Sequence, residues 1–277
     1  MTDWRTAPNP IPVQHHARQG LAPARGARLH YRDTGGGGTP VVLLHPASGS
    51  DRIWAYQQPE FAEAGYRVIA WSRRGHAGSD PVSDADPGTA AADLHAIVQH
   101  LGVTRFHLAG CAAGGGIALD YALSHPDRLL SLVVSCAIGG IAEPDYAERA
   151  RRLRPPGFDD LPTGFRELSP SYRAADPEGV AEWERLERES VTGKRIGQQP
   201  ENRIDWKSLS GLQMPVLVIG GDADLYAPPA LLRVYAAHIP GATLVIVPEA
   251  GHSLYWEAPH VFNANLLSFW AKLRLSP

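Results

Sequence analysis

The sequence predicts an α/β protein with a doubly wound, mostly parallel β-sheet. Short apolar runs typical of buried strands alternate along the chain with helical stretches, and this alternation is the pattern of such sheets. Of the 277 residues, 44% are apolar, which is enough to bury a sizeable core. The formal net charge of −3 and the lack of a basic patch argue against nucleic acid as a partner.

The strands are predicted in order along the chain. Residues up to about Arg25 are rich in Pro, Gly and Ala, so we expect an irregular arm there, followed by an edge strand at 29–32. The strands expected in the core are 41–44, 67–71, 106–109, 132–136, 215–220 and 244–248. Helices are predicted at 90–101 and 114–123.

The segment from residue 140 to 206 differs in composition from the rest of the chain. It is rich in charged residues, shows no core strand, and carries helical patterns at 147–153 and 177–191 between Pro-rich turns. We predict a helical cap there, inserted into a core that comprises residues 1–139 and 207–277. The side chains predicted to line a pocket below the cap are Ser48, Tyr146, Phe158, Trp183 and Tyr226. Packing is nevertheless the commoner role of any single buried aromatic ring.

A glycine-rich turn follows the strand at 106–109. Gly110-Cys111-Ala112-Ala113-Gly114 matches the G-x-S-x-G nucleophile elbow except at its centre, where Ala112 stands in place of serine. In that motif a sharp strand-to-helix turn exposes the nucleophile, and the glycines leave room where a Cβ would strike neighbouring backbone. The frame of the elbow is therefore present without its reactive hydroxyl.

An acid and a histidine follow two later strands, in the chain order that the elbow requires. Asp224 closes Gly221-Asp222-Ala223-Asp224, and His252 closes Glu249-Ala250-Gly251-His252. An imidazole can take the proton of an elbow hydroxyl during attack on an ester carbonyl, and a buried carboxylate can fix the tautomer of that imidazole. These residue types predict a hydrolytic triad that lacks only its nucleophile.

Over nearly its full length the chain resembles the α/β-hydrolase superfamily. The matching motifs are Leu43-Leu44-His45-Pro46-Ala47, Arg74-Gly75-His76-Ala77-Gly78-Ser79, the elbow, the G-x-x-D at 221–224, and Gly251-His252 with Glu257 and Pro259. The resemblance implies the α/β-hydrolase fold with a cap, the nucleophile position at Ala112, the acid at Asp224 and the base at His252. It also implies that the backbone N–H groups of Ala47 and Ala113 form the oxyanion hole.

The oxyanion loop departs from the family pattern. Pro46 stands where the family usually has glycine, which fixes φ and removes one N–H, so the hole depends on Ala47 or on Ser48. His45 is expected to order this loop through hydrogen bonds.

Other residues compete for the catalytic roles. Asp222 is an alternative acid, and Glu143, after the strand at 132–136, is a more distant one. A Cys111 thiolate is a rival nucleophile, but its register is wrong, because the residue before the apex should point into the protein.

These observations predict a carboxylic ester or lactone hydrolase with a Ser-Asp-His triad, here in a catalytically inactive form that binds substrate without cleaving it. A bulky apolar ester or lactone is the expected substrate, since the cap is rich in aromatic residues and residues 165–177 look similar to cap segments of zearalenone-lactonase-type hydrolases. The alternatives are a carbon–carbon bond hydrolase of the same fold, a natural non-catalytic ligand-binding protein, and a cofactor-free oxygenase.

No cofactor and no metal are expected, because the histidines and the two cysteines lack ligand spacing. The chain starts without an apolar leader and has no apolar run long enough for a bilayer, so a cytoplasmic protein without membrane contact is predicted. The sequence leaves homo-oligomerisation open.

Overall fold

The computed structural model describes residue 5 and residues 7–138, 140–193 and 197–274. Its centre is an eight-stranded sheet with the order β1-β2-β4-β3-β5-β6-β7-β8. The strands are β1 (Arg18–Ala24), β2 (Ala27–Asp33), β3 (Pro40–Leu44), β4 (Arg67–Trp71), β5 (Phe106–Cys111), β6 (Leu129–Ser135), β7 (Val216–Gly221) and β8 (Thr243–Val247). The six strands β4-β3-β5-β6-β7-β8 are parallel to one another. The pairs β1-β2 and β2-β4 are antiparallel.

Helices cover both faces of the sheet. They are α1 (Gln57–Glu63), α2 (Ala90–His100), α3 (Ala113–Ser124), α4 (Pro144–Arg152), α5 (Thr163–Glu167), α6 (Pro170–Ala175), α7 (Pro177–Ser190), α8 (Trp206–Ser210), α9 (Pro229–Ala236), α10 (Leu254–Glu257) and α11 (Pro259–Arg274). One buried cluster joins α2, α3 and α9 to the sheet, and a second joins α1, α10 and α11 to its other face. The predicted doubly wound α/β class is therefore confirmed.

Burial explains why the central strands read as continuous apolar runs. Every residue of β5 and of β7 is buried, because helices cover both faces of the sheet at these strands. Side-chain caps begin some of the helices: the side chain of Thr89 accepts the N–H of Ala92 at the start of α2, and Asp176 accepts that of Gly179 at the start of α7.

The expectation of an irregular arm up to Arg25 was wrong for residues 18–24, whereas residues 8–17 form neither helix nor strand. Residues Arg18–Ala24 form β1, which pairs with the whole of β2 in a tight hairpin at the edge of the sheet. The turn between the strands contains Gly26 at φ +68°, a conformation that glycine adopts without strain. The strand was missed because its alternating Gly, Ala and Pro residues resemble a loop, while pairing with β2 supplies its backbone hydrogen bonds.

The segment between β6 and β7 carries α4 to α8. The longest of these helices, α7, buries Trp183 and Leu186 in the cluster that also contains Trp54 and Tyr255, so the segment packs against the core. Within the described ranges, no helix is long and apolar enough to cross a membrane.

Candidate active site

The turn between β5 and α3 has the strained geometry of a nucleophile elbow. Ala112 lies at φ 51° and ψ −116°, a region that residues other than glycine rarely occupy, and its N–H donates to the carbonyl oxygen of Ser135 at 2.9 Å. A Cβ on Gly110 would lie 2.2 Å from the carbonyl oxygen of Gly114, and one on Gly114 would lie 2.3 Å from that of Leu44. The two glycines are therefore required by close backbone contacts, and the turn presents the side chain of residue 112 to the site.

His252 and Asp224 meet at the carboxyl ends of the strands. Nδ1 of His252 lies 2.9 Å from each carboxylate oxygen of Asp224, and both side chains are buried. Oδ1 of Asp224 also accepts the backbone N–H groups of Tyr226 and Ala227 at 2.8 Å, which holds the carboxylate in place. This arrangement keeps the Nδ1 proton on the imidazole and leaves Nε2 free to act as a base.

Electrostatics stabilise the protonated form of this histidine. Burial lowers the pKa of His252, but the charge and hydrogen bond of Asp224 outweigh it, with a smaller contribution from Glu167, so that the pKa is raised. A base with a raised pKa is better suited to hold a proton during a reaction and to return it afterwards.

The two alternative acids lie elsewhere. Asp222 is exposed, and its Oδ1 accepts the N–H of Glu249 at 2.6 Å, so it orders the loop that precedes His252. Glu143 accepts the N–H of Trp206 at 3.0 Å near the start of α8. Of the three carboxylates, Asp224 is the one that contacts the imidazole.

The residues predicted to form the oxyanion hole border the same cavity as residue 112. Ala47 and Ala113 line the same cavity as Ala112, and Ala113 is the first residue of α3, whose N–H needs no acceptor within the helix. The N–H of Arg73 donates to Nε2 of His45 at 3.0 Å, and His45 Nδ1 lies 2.7 Å from the carbonyl oxygen of Pro46. Because Nε2 is the acceptor, Nδ1 carries the proton, and His45 orders the loop as the sequence predicted.

Cys111 is a buried residue at the end of β5. Burial raises the pKa of its thiol to about 12, so the nucleophilic thiolate is not populated near neutral pH. The side chain packs in the same cluster as Val133 and Leu217.

A cavity of about 390 Å³ opens above the elbow. Of the residues predicted to line a pocket, Ser48 and Tyr226 border this cavity together with Ala112 and His252. Tyr146 and Phe158 border an adjacent cavity of about 690 Å³, which shares Ile138, Gly140 and Arg154 with the first. Trp183 belongs instead to the buried cluster below α7.

Sequence reasoning gave no role to several charged residues of the cavity. Arg154, Arg166 and Glu167 all border it, so the cavity is more polar than the aromatic residues of the cap predict. Glu167 is buried, which raises the pKa of its carboxyl group, although His252 and the hydroxyls of Ser48 and Ser253 act in the opposite direction. Charged residues are common throughout the cap, so no local pattern marks these three.

Glu257, which the sequence placed in the motif after His252, ties this site to the cap. Its Oε2 accepts the N–H of Ser169 at 2.9 Å and that of Gly251 at 3.1 Å. Burial raises the pKa of this carboxyl group to about 7 despite these hydrogen bonds.

Comparison with known proteins identifies the family of this chain. The model of a family described as the alpha/beta hydrolase fold matches residues 39–179 and 161–259, and the chain belongs to this family. It is 34% identical over 251 residues to RutD of Caulobacter sp. (strain K31), which is named for a proposed carbamate hydrolase activity; the match covers 83% of this chain and 89% of RutD.

Two further relatives have hydrolase names. The 2-hydroxy-6-oxononadienedioate/2-hydroxy-6-oxononatrienedioate hydrolase of Burkholderia vietnamiensis (strain G4 / LMG 22486) is 29% identical, over 87% of this chain and 90% of that protein. The solved structure of an esterase from Thermogutta terrifontis superposes with a TM-score of 0.73 at 26% identity, over 93% of this chain and 99% of the esterase. The family is hydrolytic, and its members include esterases and carbon–carbon bond hydrolases.

Proposed function

We propose that this chain has the active site of a carboxylic ester or lactone hydrolase with a Ser-Asp-His triad, and that Ala112 leaves it able to bind its substrate but not to cleave it. Asp224 is the acid, His252 is the base, and the N–H groups of Ala47 and Ala113 stabilise the oxyanion. A bulky ester or lactone would place its apolar part against the rings of Tyr226 and Phe158, which lie 5.0 Å apart.

One observation carries this proposal: Ala112 keeps a strained elbow conformation beside an intact acid–base pair. Such a backbone costs about 1–3 kcal/mol and is found where a reactive side chain must be held in a fixed direction. The methyl group of alanine has no chemical role that requires this orientation. A hydroxyl on the same Cβ would face the cavity that His252 borders.

The chemistry without the hydroxyl follows directly. A substrate carbonyl can still bind in the oxyanion hole, since its donors are backbone groups. No covalent acyl intermediate can form, because residue 112 has no oxygen to attack the carbonyl carbon, and His252 has no proton to accept from it. Enzymes that lose one triad member retain roughly 10³- to 10⁴-fold catalysis over water, so only slow turnover is expected.

The decisive experiment restores the hydroxyl. Ala112→Ser should raise hydrolysis of p-nitrophenyl acetate by at least about 10³-fold over the parent chain. Ala113→Ser is the matched control, because it adds the same hydroxyl one residue later, on the helix. A folded Ala112→Ser protein that is no more active than Ala113→Ser would exclude the hydrolase proposal and favour a non-catalytic ligand-binding protein.

A carbon–carbon bond hydrolase is the second candidate, and the 29% identity to the Burkholderia hydrolase favours it. The same acid–base pair would serve that reaction. The serine form should be offered a 2-hydroxy-6-oxo-dienoate, whose cleavage bleaches its absorbance, beside an aryl ester. A higher kcat/KM for the dienoate would select this second candidate.

A further inference from the structure

Two arginines of the cap border the same cavity as Ala112 and His252. Cζ of Arg154 lies 5.2 Å from the ring centroid of Tyr226, and Cζ of Arg166 lies 5.8 Å from it. The Tyr226 ring in turn lies 4.6 Å from the ring of His252. One aromatic ring therefore separates each guanidinium from the catalytic base.

Neither guanidinium is neutralised by a strong ion pair. No carboxylate lies within salt-bridge distance of Arg154 among the residues that the structure describes. Arg166 has Asp159 at 3.5 Å, but Asp159 is 81% exposed, and such pairs contribute little in water. Nε of Arg166 is buried and has no hydrogen-bond acceptor in the described part of the chain.

The carboxyl group of Glu167 also borders this cavity. Its Oε2 accepts a hydrogen bond from the Ser253 hydroxyl at 3.2 Å, so it is directed towards the loop after His252. Burial raises the pKa of this carboxyl group. Among the residues that the structure describes, Glu167 forms no ion pair with Arg154 or Arg166, so it does not neutralise either guanidinium by direct contact.

We propose that the site selects substrates that carry a carboxylate in addition to the ester or lactone that is cleaved, and that Arg154 and Arg166 bind this carboxylate beside Tyr226. A planar guanidinium matches the geometry of a carboxylate and stacks on aromatic rings, and lysine would do neither as well. The substrate would place its scissile carbonyl at residue 112 and its anionic end one ring away. This inference rests on the proposed function, of which it specifies the substrate class.

The test compares two ligands that differ in one charge. Monomethyl adipate is an ester with a free carboxylate, and dimethyl adipate is its neutral counterpart. Because Ala112 leaves only slow turnover, the dissociation constants of both can be measured on the parent chain by isothermal titration calorimetry. We expect the monoester to bind at least about tenfold more tightly than the diester.

Variants assign the preference to the two arginines. Arg154→Gln and Arg166→Gln should each weaken monoester binding by about tenfold and leave diester binding unchanged, while Arg154→Lys should retain part of the preference. Arg188→Gln is the control, because Arg188 is an exposed cap arginine that does not border the cavity. Thermal unfolding of each variant verifies that it is folded.

Three results would overturn the inference: equal affinity for the two esters, no binding of either at millimolar concentration, or equal weakening of both ligands by the arginine variants. The outcome is separable from the hydrolase proposal. If Ala112→Ser hydrolyses p-nitrophenyl acetate while the parent shows no preference for the monoester, the hydrolase proposal stands and this inference fails. If the parent chain prefers the monoester but Ala112→Ser hydrolyses no ester, the hydrolase proposal fails. The carboxylate would then belong to a bound ligand and not to a substrate that is cleaved.

Discussion

The Glu257 carboxylate accepts the N–H of Gly251, the residue directly before His252, at 3.1 Å, and Ser169 of the cap donates to the same oxygen. A single buried acid therefore holds both the His252 loop and the cap. Gly251 itself must lack a side chain, because a Cβ there would lie 2.7 Å from the N atom of Ser169. The His252 loop and the cap are consequently both held by one titratable residue, Glu257.

Stability should depend on pH through this residue. The pKa of Glu257 is raised from 4.5 to about 7, so the folded state binds a proton more tightly than the unfolded state does between these values. The free energy of unfolding should therefore fall as pH rises through this window, and the loss should be complete above pH 7. Relative to Glu257→Gln, which cannot titrate, the parent should lose up to about 3 kcal/mol between pH 4.5 and 8.

Urea unfolding of both proteins across this range measures the difference. Glu178→Gln removes the same charge from an exposed position of α7 and serves as the control. A parent-minus-variant difference that is the same at every pH, or that grows in favour of the parent at high pH, would show that Glu257 is not the titrating support.

The acid assignment can be tested in the Ala112→Ser background. Asp224→Asn should lower kcat by roughly 10³- to 10⁴-fold, because the carboxylate holds the imidazole tautomer and stabilises its charged form. Asp222→Asn should be nearly silent, since an amide oxygen can still accept the N–H of Glu249. If steady-state kinetics show a large loss of kcat for Asp222→Asn and almost none for Asp224→Asn, Asp222 is the catalytic acid.

The strain at residue 112 has a measurable consequence for stability. Ala112→Gly should raise the free energy of unfolding by about 1 kcal/mol, because glycine adopts φ 51° and ψ −116° without the cost that alanine incurs, and this gain exceeds the entropic penalty of glycine. Ala113→Gly, at the ordinary helical position that follows, should lower it instead. If both substitutions destabilise the chain equally, residue 112 is not strained.

The sequence predicted the fold because buried strands have a local sequence pattern, and the same is true of the elbow motif from which the candidate site was inferred. Buried parallel strands appear in the sequence as short apolar runs. The elbow glycines are required because a Cβ at either position would lie only 2.2 to 2.3 Å from a backbone oxygen, so the motif reflects the geometry of the turn. The sequence did not predict β1, because this strand is stabilised by pairing with β2 and its own residues lack a strand pattern.

The cavity lining could not be predicted in the same way. Arg154 and Arg166 lie twelve residues apart in a segment full of arginine, and only the folded cap brings both onto the ring of Tyr226. Trp183 and Phe158 look alike in the sequence as aromatic residues of the cap. One is packed against the core and the other borders a cavity, because the orientation of each helix decides which face is buried.

This difference between packing and lining residues gives the last prediction. Trp183 is 2% exposed and packs in the buried cluster below α7, so Trp183→Leu should lower the free energy of unfolding by about 2–4 kcal/mol and leave the affinity for a ring-containing lactone such as dihydrocoumarin nearly unchanged. Tyr226 is partly exposed beside His252, so Tyr226→Ala should cost less stability and weaken lactone binding severalfold, because it removes the ring on which the ligand would lie. Urea unfolding and calorimetric titration of the two variants, each compared with the parent chain, separate the effects. If Trp183→Leu abolishes lactone binding while Tyr226→Ala leaves it intact, the ligand occupies the space below α7 rather than the cavity above the elbow.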